Sequence, residues 1–338
     1  MRYINSSINI SQRSIIIFGW FCISIILVFL DFKKFISFDS VDEELFLTIS
    51  EADPSIHFIR YIVWGQYLSF LNNVSPLFPI NFHLFIFCLG LNIFVKKYNA
   101  QKTHLILLLS IPSLMLFSQT YLRDFFILIL NIFLFLKVKK DKTEYKSIFI
   151  IATIIFLIFI LRPIFGVILC FSLISSILIK KVSYSLSYLF LGQFIVLVTL
   201  LLIPDVKEMF ITEYYHLNTD DVFSLLRIDL VNVSDLAISA GIFFNWVLYY
   251  FGINLHMRNY FLLFPFFIES IIYFIFFRSF LFFNKSRFKI DFLYRLSFWL
   301  IIFSMIYSTL EADWASVYRH KIFFLPALFY LAATKIKN

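Results

Sequence analysis

The sequence is poor in what a water-soluble domain needs on its surface. Charged residues make up 15% of the 338 positions, against about 25% in an ordinary soluble domain. Glycine occurs 7 times and proline 8 times, which removes collagen-like repeats and linker-type segments. The three cysteines, Cys22, Cys88 and Cys170, lie in apolar runs with no pairing spacing, so they read as small hydrophobes and not as bridges or metal ligands. No glycine-rich phosphate loop and no Rossmann fingerprint occurs. These absences exclude a cytosolic enzyme, a disordered chain and a disulfide-built secreted module. In their place stand 61% hydrophobic residues, including 48 Phe and 18 Tyr, more apolar area than a soluble core of this size can hide. The expectation is an all-α, polytopic membrane protein.

Apolar runs long enough to cross about 30 Å of hydrocarbon fall near 14–30, 77–95, 103–119, 121–137, 147–161, 163–179, 183–203, 259–277, 290–309 and 319–334. Ten spans place both termini on one side. The stretches on that side hold 19 of the 29 Lys/Arg and only three of the 21 acids, Asp141, Glu144 and Asp291. The positive-inside rule then makes the termini cytoplasmic, and the net charge of +8 reflects topology, not nucleic-acid binding. The first apolar run follows Arg2 and Arg13 without a small-residue cleavage site and reads as a retained signal anchor. The whole chain, 1–338, is expected to form a single integral membrane domain with two long outer loops, about 31–76 and about 204–258.

Both loops carry helix signals. Asp53-Pro54 is an N-cap acid with proline at the first helical position, and the segment after it carries His57, Arg60 and Trp64 on one stripe. A narrow polar stripe with aromatic flanks suits the membrane interface. In the second loop, 236–251 is apolar, but making it a span would put Lys285, Arg287 and Lys289 outside; a re-entrant or interfacial segment is the consistent reading. The Asn-x-Ser sequons at Asn73 and Asn232 are chance-level matches. His83 and His104 lie in spans and read as packing residues. Trp64, Trp246 and Trp314 suit either sugar stacking or the interfacial aromatic belt. No His-x-x-x-His or Glu-x-x-His pair occurs, so no catalytic metal is expected.

The anomaly is a set of arginines on the acidic, outer side: Arg60, Arg123, Arg162, Arg227, Arg258 and Arg319. Arginine near hydrocarbon is expensive unless it reaches headgroups or finds an anion. Guanidinium is suited to phosphate, because its planar fork donates two parallel charge-assisted hydrogen bonds and stays protonated. Tyr121-Leu122-Arg123-Asp124 opens a span, Leu161-Arg162-Pro163 joins two, and Tyr318-Arg319-His320-Lys321 opens the last. Taken together, they predict a phosphate or diphosphate site at the outer leaflet.

Ile111-Pro112-Ser113 leading to Arg123-Asp124-Phe125, then Phe159-Ile160-Leu161-Arg162-Pro163, Leu263-Phe264-Pro265-Phe266-Phe267-Ile268-Glu269 and Tyr318-Arg319-His320 follow one another in an order and spacing that resembles the bacterial oligosaccharide repeat-unit polymerases, the Wzy-type O-antigen polymerases and their exopolysaccharide relatives. The likeness spans roughly residues 77–334. It implies a multi-pass protein of the bacterial inner membrane that polymerises polyprenyl-diphosphate-linked oligosaccharide repeat units on the periplasmic face. It also implies the lipid bilayer and a chain-length regulator protein as partners, no nucleic acid and no cofactor.

Such a reaction has two demands. Arg123, Arg162 and Arg319, with Arg258, Arg60 and the adjacent Asp124, are the candidates for holding the departing diphosphate. A carboxylate or imidazole must take the acceptor hydroxyl's proton. Asp39, Asp42, Glu269 and His320 are the leading candidates for that base, with His216 and Glu311 behind them. Glu269 stands out because it interrupts an apolar span. The same donor chemistry would serve an O-antigen ligase or another polyprenyl-phosphate-dependent sugar transferase. A lipid-linked oligosaccharide flippase or a membrane scaffold is the non-enzymatic alternative.

Overall fold

The computed structural model describes residues 2–31, 59–120, 123–138, 145–179, 192–193, 195, 246–247, 249–251, 260–282, 291–310 and 319–333. Among them every regular element is a helix. In chain order these are α1 (Arg2–Phe29), α2 (Ile59–Asn72), α3 (Phe78–Tyr98), α4 (Lys102–Leu109), α5 (Pro112–Phe117), α6 (Arg123–Lys137), α7 (Tyr145–Leu161), α8 (Pro163–Leu178), α9 (Tyr260–Phe282), α10 (Phe292–Leu310) and, after a 3₁₀ turn at Ile322–Phe324, α11 (Leu325–Ala333). Two of them, through Gln12–Phe29 and Phe78–Tyr98, are long and apolar enough to cross a membrane; Ile148–Leu161, Pro163–Leu178 and Phe292–Met305 are shorter apolar helices.

The run 103–119, expected as one span, is broken into α4 and α5. Pro112 has no N–H and crowds the residue before it, which pushes Ile111 to an extended conformation (φ −68°, ψ 117°). Nearby hydroxyls and amides occupy carbonyls around and beyond the break: Ser110 Oγ donates to Ile106 O (2.9 Å), Ser118 Oγ to Met115 O (2.7 Å) and Thr120 Oγ1 to Phe117 O (2.9 Å). The helix expected from Asp53-Pro54 is described only from Ile59 onward; its start, the span 183–203 apart from three residues, and most of the loop 204–258 lie outside the described residues.

The chain divides into two compact units, Met1–Gly166 with Ala333–Lys337, and Val167–Ala332. In the first unit α2, α3, α6 and α7 close a ring in which each packs on the next, while α1 lies on α3 and α4. Phe87 meets Phe125 (centroids 5.2 Å) and, further along both helices, Phe94 meets Phe135 (6.2 Å), so α3 and α6 run parallel. Leu84, Phe87, Leu91, Phe94 and Val95 of α3 are buried, as is most of α6. The outward faces are apolar as well. Phe18 of α1 is 65% exposed and Phe149 of α7 is 75% exposed, a distribution suited to contact with hydrocarbon and costly in water.

One end of this unit is rich in lysine. Lys96 and Lys97 occupy the last turn of α3, Lys137 the last turn of α6, and Lys102 opens α4. Asn99 ends α3 in the left-handed conformation (φ 50°) and accepts a hydrogen bond from Arg13 Nη1 of α1 (2.9 Å); Lys102 Nζ donates to Gln12 Oε1. Tyr98 Oη and Lys97 Nζ donate to the carbonyls of Phe135 and Leu136 (2.6 Å each), tying the C-terminal ends of α3 and α6 together.

In the second unit, Asp291 organises one end. Its Oδ1 accepts the N–H of Tyr294 (2.8 Å), capping α10, and its Oδ2 accepts from Tyr330 Oη (2.9 Å) of α11. Phe276 of α9 packs on Phe329 of α11 and Phe280 on Phe298 of α10.

Gly166 marks the tightest backbone approach. A Cβ placed there would lie 2.7 Å from Phe159 Cα and 2.8 Å from Phe159 Cβ, whereas one at Gly19 would meet nothing within 4 Å. Gly166→Ala should therefore destabilise by about 1–3 kcal/mol, seen as a lowered melting temperature of the detergent-solubilised protein. Gly19→Ala should leave melting unchanged or raise it, since alanine is the better helix former.

Candidate functional site

At the end of the first unit opposite the lysines, α6 begins with Arg123 and Asp124, and α7 ends at Leu161. Pro163 stops α7, and Arg162 sits in the corner, its N–H bonded to Ile158 O (2.7 Å) and its carbonyl accepting from Gly166 N (3.0 Å). From this corner Arg162 reaches across to α6: Nε donates to Asp124 Oδ1 (3.0 Å) and Nη2 to Asp124 Oδ2 (3.3 Å). The guanidinium and carboxylate are thus matched edge to edge. Asp124 is 1% exposed, while the Arg162 side chain keeps 13%. Asp124 lies next to Arg123 in sequence but pairs with Arg162, because adjacent helix residues do not share a face. Arg123 is itself buried.

On the stripe of α6 that Arg123 shares with Phe126, three residues on, lies an aromatic box. His83 of α3 packs against both Trp64 and Tyr67 of α2 (centroids 5.7 Å from each, planes 18° apart), which themselves lie 5.2 Å from each other. Phe126 lies 5.4 Å from His83 and from Tyr67, and 5.5 Å from Trp64. Tyr67 Oη and His83 Nε2 are hydrogen-bonded at 2.9 Å. Trp64 and His83 are buried and Tyr67 is half-buried; burial pushes the Tyr67 phenol up to about 12.

The second unit holds a different constellation. Glu269 Oε1 and Lys321 Nζ form an ion pair at 2.7 Å, with side chains 0% and 1% exposed. Lys321 Nζ also lies 5.0 Å over the Tyr273 ring, a cation–π contact in a dry site. Glu269 is nine residues into α9, and its partner belongs to the helical turn before the 3₁₀ segment. His320 is buried against Tyr307 (5.2 Å) and Phe323 (5.4 Å). Arg319 is half-buried.

Of the residues predicted from sequence, Arg162 and Asp124 are brought into direct contact, with Arg123 beside Asp124 on the same turn. Glu269, His320 and Arg319 belong to the second unit. Arg60 is the second residue of α2, but its side chain lies outside the described residues, as do Asp39, Asp42, Arg258, His216 and Glu311 altogether. Among the described residues no group of three His, Cys, Asp or Glu gathers as a metal site would. Two partnerships escaped the sequence reading. Lys321 could have been found as the one lysine within the apolar run 319–334, the natural counter-charge for Glu269. Tyr67 continues the stripe of Arg60 and Trp64 at helical spacing, but its bond to His83 emerges only once α2 packs on α3. Compared with family models, with curated proteins and with solved structures, the chain matches none.

Removing one member of a buried pair strands the other charge. Glu269→Gln should lower stability by roughly 3–5 kcal/mol, and the double change Glu269→Gln with Lys321→Met should recover most of it, measured by thermal melting in detergent. At the other pair the loss should be asymmetric. Arg162→Ala leaves Asp124 ionised and buried and should cost more than Asp124→Asn, after which the part-exposed guanidinium can still turn to water. Equal losses from the two changes would contradict this ordering.

Proposed function

We propose that this chain is a multi-pass glycosyltransferase of the bacterial inner membrane that joins polyprenyl-diphosphate-linked oligosaccharide repeat units on the periplasmic side, as the Wzy-type polymerases it resembles do. The single observation that carries the reading is the Arg162–Asp124 pair, set beside buried Arg123 at the end of the first unit remote from its lysines. That polarity of charge along one bundle is what a protein needs whose cytoplasmic face is fixed by lysine and whose substrate anion is met on the other face. The apolar outer walls of α1 and α7 support embedding in a bilayer. On this reading the remaining apolar runs complete ten spans, with both termini cytoplasmic.

In the reaction, a hydroxyl of the acceptor repeat unit attacks C1 of the donor glycan, the bond from C1 to the diphosphate oxygen breaks, and its electron pair leaves on the diphosphate. The protein's contribution to the leaving group is fixed positive charge where negative charge accumulates. Arg162 is aimed by Asp124 through two of its donors and brings a fixed guanidinium to the diphosphate. Arg123 adds a second cation one residue from Asp124. Arg319, Arg258 and Arg60, from the later spans and the outer loops, are the further cations proposed to meet the anionic substrate. Both substrates arrive on lipid carriers and the lengthened product stays on the acceptor's, which a membrane-embedded site permits. A chain-length regulator would act on how many repeat units are added.

Arg162→Lys is the discriminating variant, because lysine keeps the charge and a partner for Asp124 but loses the two-pronged geometry. It should leave the protein inserted and stable while collapsing the ladder of glycan chain lengths on a gel. Arg123→Ala and Arg319→Ala should do the same. A normal ladder from all three would refute the assignment. Deleting the gene separates the related activities: loss of a polymerase leaves lipid core capped by one repeat unit, loss of a ligase leaves polymer on its carrier, and loss of a flippase leaves no surface repeat.

A further inference from the structure

The Tyr67–His83 pair lies beside the arginine end of the first unit and is not used by the account above. Phe126, which closes the aromatic box, is three residues past Arg123 on α6, an axial distance of about 4.5 Å at helical rise. The box therefore begins roughly one turn below the guanidinium. Its polar content is one phenol and one imidazole, bonded to each other at 2.9 Å. His83 is 2% exposed and Tyr67 half-buried, so the tyrosine is the more accessible member of the pair. Among the described candidates for a base, Glu269 is committed to Lys321 and His320 is enclosed by Tyr307 and Phe323.

Resting on the polymerase reading, we propose that Tyr67 is the catalytic group that receives the proton of the acceptor sugar hydroxyl, and that His83 is the positioning residue that makes this possible by taking the phenolic proton in turn. Nε2 of His83 is the acceptor and Nδ1 carries the ring proton. As the acceptor oxygen forms its bond to C1, its proton passes to Tyr67 Oη and the phenolic proton passes to His83 Nε2. The C1–O bond to the diphosphate breaks, and the electron pair stays with the diphosphate among the arginines. Water then removes the extra proton from His83 by way of the same phenol, returning the pair to its starting state. Trp64, near-parallel to the ring (18°), and Phe126, tilted against it (43°), hold the imidazole in one orientation, which a relay of this kind requires because proton transfer depends on alignment. A phenol alone is a poor base at neutral pH; the imidazole at hydrogen-bond distance gives its proton somewhere to go.

The test uses the full-length protein in phospholipid vesicles. The probe is the lipid-linked repeat units that a strain deleted for this gene accumulates. Tyr67→Phe keeps the ring and its packing and removes one oxygen. It should lower kcat by about 100-fold or more while KM for the lipid-linked substrate stays within about threefold, the signature of an interaction made in the transition state. His83→Gln should lower kcat similarly, and the double variant should be no slower than the slower single one, because the two act as a unit. Wild-type kcat in Tyr67→Phe overturns the relay, and so does a raised KM with unchanged kcat, which would make Tyr67 a binding contact only. If the wild type extends glycan, Arg162→Lys does not, and Tyr67→Phe does, the relay alone has failed. If the wild type extends none, the polymerase reading falls and takes the relay with it.

Discussion

A charge placed among apolar side chains has to be answered by another group of the protein, since little water is present to do it. That constraint governs both units. Asp124 and Arg162 answer each other across the start of α6 and the end of α7, and Glu269 and Lys321 answer each other between α9 and the segment leading into α11. Each pair joins two helical segments that hydrophobic contact alone would let slide, because one phenylalanine-rich face packs on another at many registers. A matched pair accepts one. The ion pairs therefore contribute more to which packing is adopted than to how tightly it is held.

The helical character was legible because the apolar runs are long and turn signals between them are few. The break within 103–119 was less so, although Pro112 was visible. A proline in an apolar run can kink a span or end it, and the outcome depends on whether the freed carbonyls find partners. Ser110, Ser118 and Thr120 supply hydroxyls to carbonyls around the break and at the end of α5. Those hydroxyls look like ordinary small polar residues until the backbone around them is known. Asp291 was counted only as one of the few acids on the basic side; its two bonds, to Tyr294 and Tyr330, show it as a local organiser.

The candidate site divides along the same line. Charge against the prevailing topology drew attention to Arg123, Arg162, Glu269 and the residues around Arg319, and charge is readable one residue at a time. Partnership is not. Asp124 follows Arg123 in the sequence but bonds to Arg162, 38 positions away. His83 was taken for a packing residue, and it is one, yet its hydrogen bond to Tyr67 depends on α2 lying against α3, which no local pattern announces. Neutral aromatic and imidazole groups in an aromatic-rich chain carry no contrast, so their pairing emerges only from the packed helices.

The corner at Arg162 has one more implication. With Pro163 behind it, Gly166 admitting the Phe159 backbone at close range and Asp124 gripping the fork, this side chain has already given up its rotameric freedom before any anion arrives. A loosely held surface arginine would surrender up to about 2 kcal/mol of that freedom on capture; here the sum was settled during folding. On the proposed function, an incoming oxyanion would meet a rigid receptor that discriminates between anions by shape and bond direction.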